Sequence, residues 1–148
     1  MPIYWHILSH KIAINLTEKK AVICPVLRLL KDQKIMITAD REFHSIFLSH
    51  WLKKYQRPDV YFVLRQKKST MIKRGKKYCK LSELKVNVGE TKLLLNQKIT
   101  KILNVKTYNL LNYKKQKYRQ KSVVEKWYIL TNLSSPEKIK KIYIAVRA

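Results

Sequence analysis

The residue with the clearest chemical potential is Asp40. The stretch "ITADREFHS", residues 37–45, sets one carboxylate at the end of a short apolar run in a chain otherwise crowded with lysine. A carboxylate at the C-terminal edge of a central strand lies where open α/β sheets bind ligands, because strand ends there face a crevice rather than the core. Aspartate also serves routinely as a helix N-cap, its side chain accepting from backbone N–H groups of the first turn. Position alone leaves both uses open. Glu42 is two residues further on and points elsewhere once a helix begins, which makes it the weaker acid at this place. His6, His10, His44 and His50 do not complete a zinc set with Cys24 and Cys79. The two cysteines belong to no CxxC pair and read as reduced thiols.

A second group could hold phosphate. Residues 65–80 carry eight Lys or Arg and no acid, among them Arg65, Lys67, Lys68, Lys73, Arg74, Lys76 and Lys77. Over the whole chain 33 basic residues oppose 9 acidic ones, a formal net charge of +24. An imbalance of this size predicts a polyanionic partner. Nucleic acid fits best, since neutralised phosphates release condensed counterions and drive binding without base contacts. The alternative is a solvated loop whose charge keeps the chain soluble. Tyr108, Tyr113 and Tyr118 alternate with Lys114, Lys115, Lys117 and Arg119. They could stack on bases, but ordinary packing in a β-rich segment is favoured. Trp5, Trp51 and Trp127 also read as core. No apolar run approaches the roughly 18 residues of a spanning helix, and "MPIYWHIL" lacks the flanks of a signal peptide. A membrane partner is therefore not expected, and the expected location is cytoplasmic.

The elements that must position these groups follow from periodicity. "PIYWHIL" (2–8) reads as a strand. Asn15 with Glu18 forms a capping box for a helix whose apolar residues run from Leu16 to Leu30, with Pro25 as a kink or restart. "KIMITA" (34–39) reads as a buried strand ending at Asp40. Phe43, Ile46, Phe47, His50 and Trp51 share a helical face, and "DVYFVLR" (59–65) is the next strand. Strands alternating with helices predict an α/β sheet with helical crossovers. Residues 66–125 read as a basic, β-rich insertion with a turn near Asn96 and Gln97. "KWYILTNL" (126–133) returns to the core as a strand, and "SSPEKIKKIYIAV" (134–146) opens a helix with a Ser cap and an early Pro. One domain spans 1–148, with its core in 1–65 and 126–148.

The run "PIYWHIL…NLTEKKAVICPVLRLLKDQKIMITADREF", then "YFVLRQKKST", then "WYILTNLSSPEKIKKIY", resembles the catalytic domain of bacterial insertion-sequence transposases of the Asp-Asp-Glu class, in particular the insertion-sequence-four type. The similarity covers about residues 2–143. It implies an incomplete ribonuclease H-like mixed sheet, with aspartates and a glutamate holding two magnesium ions for DNA cleavage and strand transfer. Asp40 corresponds to the second aspartate and so to a metal ligand. Tyr143 matches the tyrosine of the family's last signature, but Val146 stands where an arginine belongs and the glutamate would fall beyond Ala148. No acid precedes Glu18, so the first aspartate also has no counterpart. Glu137 lies 13 residues before the required position, about 20 Å along a helix. The expectation is therefore a transposase domain truncated at both ends and inactive alone, with DNA, further copies of itself or intact transposase as partners. The alternative is a non-enzymatic basic DNA-binding protein that interferes with intact transposase. A basic RNA-binding protein explains the charge but not the ordered blocks.

Overall fold

The computed structural model describes residues 15–39, 46–54, 57–100, 108–117 and 120–147. Helix α1 is Leu16–Leu29, and both halves of its expected capping box form. The Asn15 side chain accepts from the Glu18 N–H at 2.9 Å, and Glu18 accepts from the Asn15 N–H at 2.8 Å. Two of the helix's first free donors are thereby satisfied. Pro25 sits inside α1 without dividing it. At the other end the Arg57 guanidinium gathers carbonyls that the helix and its exit leave free. It donates to Leu27 at 2.9 Å, Leu30 at 3.2 Å, Lys31 at 2.8 Å and Gln33 at 3.1 Å. Asp59, paired with the same guanidinium at 2.6 Å, fixes its orientation.

Strand β1 (Ile35–Ala39), helix α2 (Ile46–Lys54) and strand β2 (Val60–Arg65) form the expected unit of two parallel strands joined through a helix. Ile35 pairs with Val60 and Ala39 with Leu64. Strands β3 (Met71–Arg74) and β4 (Lys77–Lys80) make a separate hairpin. Then follow β5 (Thr91–Gln97), β6 (Tyr108–Lys117), β7 (Gln120–Thr131) and helix α3 (Pro136–Arg147). Ser135 caps α3 as the sequence suggests, and Pro136 occupies its first turn, where a missing N–H costs nothing. The strand read at 2–8 lies outside the described residues.

The main sheet is mixed, in the order β1-β2-β7-β6-β5, with every pair beyond β1 and β2 antiparallel. Residues 66–125 are β-rich, but their strands β5 and β6 extend the main sheet beside β7, and only β3 and β4 stand apart. The physical reason is that their adjacent leucines are apolar toward both faces. Leu110 packs with Phe62, Leu64, Tyr128 and Leu130 under α2, while Leu111 packs with Val63, Trp127 and Ile129 under α3. A strand apolar on both sides needs a layer on each. The result is a sheet sandwiched between α1 and α2 on one face and α3 on the other. Where β7 stops pairing with β2, the Asn132 amide takes over the ladder, accepting from Phe62 N–H at 3.0 Å and donating to Val60 C=O at 3.0 Å. Among the described residues no helix is long and apolar enough to cross a membrane.

Candidate nucleic-acid interface

Parallel pairing makes β1 and β2 end together, with Ala39 beside Leu64 and Arg65 one step further. Asp40 follows Ala39 directly in the chain and lies outside the described residues, as do Glu42, His6, His10, His44, Trp5 and Tyr118. Arg65 is 5% exposed. Its guanidinium donates to the Tyr143 hydroxyl at 3.1 Å and to Glu125 at 3.2 Å. These bonds tie the last residue of β2 to α3 and β7, so Arg65 is separated from the surface lysines with which its sequence position groups it. Tyr143 is likewise a core residue, its ring edge-on to Trp127 with centroids 4.9 Å apart. Tyr113 completes the row against Trp127 at 5.3 Å, and Tyr108 is buried, so both pack as expected. Burial raises the hydroxyl pKa of Tyr108 and of Tyr128 above the usual tyrosine value.

Glu125 is the acid at this end that sequence spacing does not single out; its approach to Arg65 depends on the register of β7 against β2. It belongs to an ion pair, and among the described residues no three His, Cys, Asp or Glu side chains come together to hold a metal. No metal-dependent step follows from the described residues. Cys24 and Cys79 are free thiols.

The lysines behave differently from Arg65. Lys67 and Lys68 are exposed in the connection from β2 to β3. Their carbonyls accept from Thr70 and Ser82 N–H at 3.1 and 3.0 Å, which pins the backbone that carries them. Lys73 is half-buried, while Arg74, Lys76 and Lys77 stand exposed around the β3–β4 turn. Gly75 opens this two-residue loop at φ +61°, a left-handed value that a glycine adopts without steric cost. Lys19, on α1, is buried, and its pKa is lowered first by desolvation and then by repulsion from Lys67.

The hairpin tip meets the chain that leaves β5. Lys73 N–H donates to Lys98 C=O at 2.9 Å, Thr100 N–H donates to Met71 C=O at 2.9 Å, and Ile72 bridges to the buried Ile99. Between them opens a cleft of about 380 Å³ lined by Lys73, Arg74, Gly75, Asn96, Gln97 and Lys98. Three cations and two amides line it, without an acid. Asn96 and Thr100 flank this stretch in left-handed conformations, φ +51° and +66°. Asparagine tolerates that region, whereas a β-branched threonine is strained there and is held by the surrounding bonds. Asn96, Gln97 and Lys98 escape a reading of sequence because they lie some twenty residues beyond the hairpin and reach it only by tertiary pairing. The turn expected at Asn96 and Gln97 does not form: both residues lie within β5, whose register against β6 shifts between Leu94 and Gln97, with Asn96 at a left-handed φ.

Comparison with protein-family models, with characterised proteins and with solved structures finds no match to this chain.

Proposed function

We propose that this chain binds DNA through its phosphates, with Lys67, Lys68, Lys73, Arg74, Lys76 and Lys77 as contacts and Lys98 as an additional cation in the cleft. The observation that carries this reading is the acid-free cleft at the hairpin tip, with the exposed Lys76 and Lys77 following directly in the chain. Separate positive charges on a pinned backbone suit a chain of phosphates and supply no base readout, so binding is largely independent of sequence. Fluorescence anisotropy with a short duplex over a range of salt tests it. Six phosphate contacts give a slope of about −5 in log affinity against log salt. Lys76→Gln with Lys77→Gln should reduce its magnitude by about 2. Salt-insensitive binding, or none at low salt, refutes the proposal.

A second reading makes the chain a transposase-type domain of ribonuclease H-like descent. It is supported by parallel β1 and β2, the α2 crossover, and the position of Asp40 immediately after β1 in the chain. In that reading Asp40 is a magnesium ligand, the DNA is a transposon end or target, and a further copy or an intact transposase is the protein partner. Catalysis by the chain alone is not proposed. Manganese binding followed by electron paramagnetic resonance, lost in Asp40→Asn, tests the ligand role. DNA affinity that survives Asp40→Ala separates phosphate contact from metal binding.

A further inference from the structure

We infer that the cleft at the β3–β4 tip is a seat for a phosphomonoester dianion, and that the group it takes is the terminal phosphate of a DNA strand. This rests on the DNA-binding reading above and deepens it, by assigning the cleft to the last phosphate of the chain.

The register builds the seat. Ile72 bridges to Ile99, and both are buried, so the backbone on each side of the bridge is fixed to the core. One step along this antiparallel pairing Lys73 stands opposite Lys98, and the bond from Lys73 N–H to Lys98 C=O at 2.9 Å joins them. Successive side chains of an extended chain point to opposite faces, so isoleucines that face the core send both lysines away from it on one side. Like charges directly opposite each other destabilise a strand pair, and an anion held between them reverses that effect. Arg74 adds a third cation, in a form that grips two phosphate oxygens at once. No acid lines the cleft to neutralise any of the three.

Charge and space identify the ligand. An internal phosphodiester carries one negative charge, whereas a phosphomonoester carries about −1.5 to −2 at neutral pH and has three strong acceptor oxygens. Three converging cations exceed the need of one diester and match the dianion. Asn96 and Gln97 add amide groups to the wall. At Gly75 an added Cβ would meet nothing within 4 Å, so the turn leaves open space on its side. The volume of about 380 Å³ lies at the lower end of small-ligand sites, roughly 300 to 1,000 Å³, which suits one terminal nucleotide rather than a length of duplex. Asn96 and Thr100, each two residues from Lys98, hold left-handed φ values of +51° and +66°. Such backbone persists where its surroundings fix it, as they do at ligand sites.

The test uses one single-stranded oligonucleotide with an internal fluorophore, each terminus in turn bearing phosphate, methyl phosphate or hydroxyl. Anisotropy at fixed salt compares wild type, Arg74→Gln with Lys98→Gln, and Lys67→Gln with Lys68→Gln. Wild type should bind a phosphate end about tenfold more tightly than a hydroxyl end, the equivalent of one charge-assisted hydrogen bond, with methyl phosphate between them. The cleft variant should bind all three ends alike. The Lys67 and Lys68 variant should bind every strand more weakly by a common factor and keep the preference. Equal wild-type affinity for the three ends, or a preference that survives in the cleft variant, overturns the seat while leaving phosphate contact by the hairpin intact. A nucleoside monophosphate that competes as strongly as the phosphorylated strand overturns the strand end as the source of the dianion. Monophosphate binding by a wild type that binds no oligonucleotide overturns the DNA-binding reading and upholds the dianion seat.

Discussion

Arg65→Gln gives the sharpest separation between stability and binding. In sequence Arg65 heads the basic stretch, and a phosphate-contacting role would make its loss weaken DNA binding. In the fold its guanidinium is buried against the Tyr143 hydroxyl and Glu125, with side-chain exposures of 6% for Arg65 and 22% for Glu125. Removing one partner of a buried ion pair costs roughly 3 to 5 kcal/mol, and Glu125's partial exposure favours the lower limit, about 3 kcal/mol. The hydrogen bond to Tyr143 is part of the same loss, since the two bonds share one guanidinium. For a chain of this length about 3 kcal/mol corresponds to a fall in Tm of roughly 6 to 12 °C. Urea unfolding followed by tryptophan fluorescence provides the free energy, with Trp127 beside Tyr143 as a reporter. The folded variant should retain the wild-type salt slope for DNA. A slope reduced by about 1 with unchanged urea midpoint would refute the structural assignment of Arg65 and return it to the phosphate contacts.

Arg57→Lys should destabilise the chain by about 2 kcal/mol in urea unfolding, because one ammonium cannot reproduce the fork that serves the carbonyls at the end of α1. Gly75→Ala should cost about 1 kcal/mol through the left-handed φ of +61° alone, since an added Cβ meets nothing within 4 Å; chemical denaturation measures it. Tyr128→Phe should be neutral or stabilising by the same measurement, as it deletes a buried hydroxyl that has no hydrogen-bond partner among the described residues. Tyr108 supplies a pH test. Its folded-state pKa is raised by burial, so its contribution is complete below the unfolded value near about 10 and is lost as pH rises above it. Wild type should therefore lose more stability than Tyr108→Phe between pH 9 and 11, in parallel urea titrations.

Local chemistry made much of this protein legible. The capping box of Asn15 and Glu18, the strand Val60–Arg65 and the Ser-Pro start of α3 each follow from a few neighbouring residues, and each forms; α2 forms too, but it buries Leu48, Ser49 and Leu52 and exposes Phe47, so its core-facing side is not the face expected from Phe43, Ile46, Phe47, His50 and Trp51. The amount and sign of charge are equally a property of composition. Other features depend on which distant strands meet. A β-rich segment looks the same locally whether it forms an insertion or extends the main sheet; the leucines of β5 and β6 put it in the sheet because both their faces need cover. Arg65 and Lys67 are two residues apart and identical in sign, yet the pairing of β2 with β7 and the arrival of α3 bury one while a turn exposes the other. The cleft likewise needs Lys98 brought to Lys73 by a backbone bond across 25 positions. Sequence thus determined the local elements and the charge, since both arise from near neighbours and composition. Tertiary pairing decided which charges reach solvent, because register and burial are set by contacts between residues far apart in the chain.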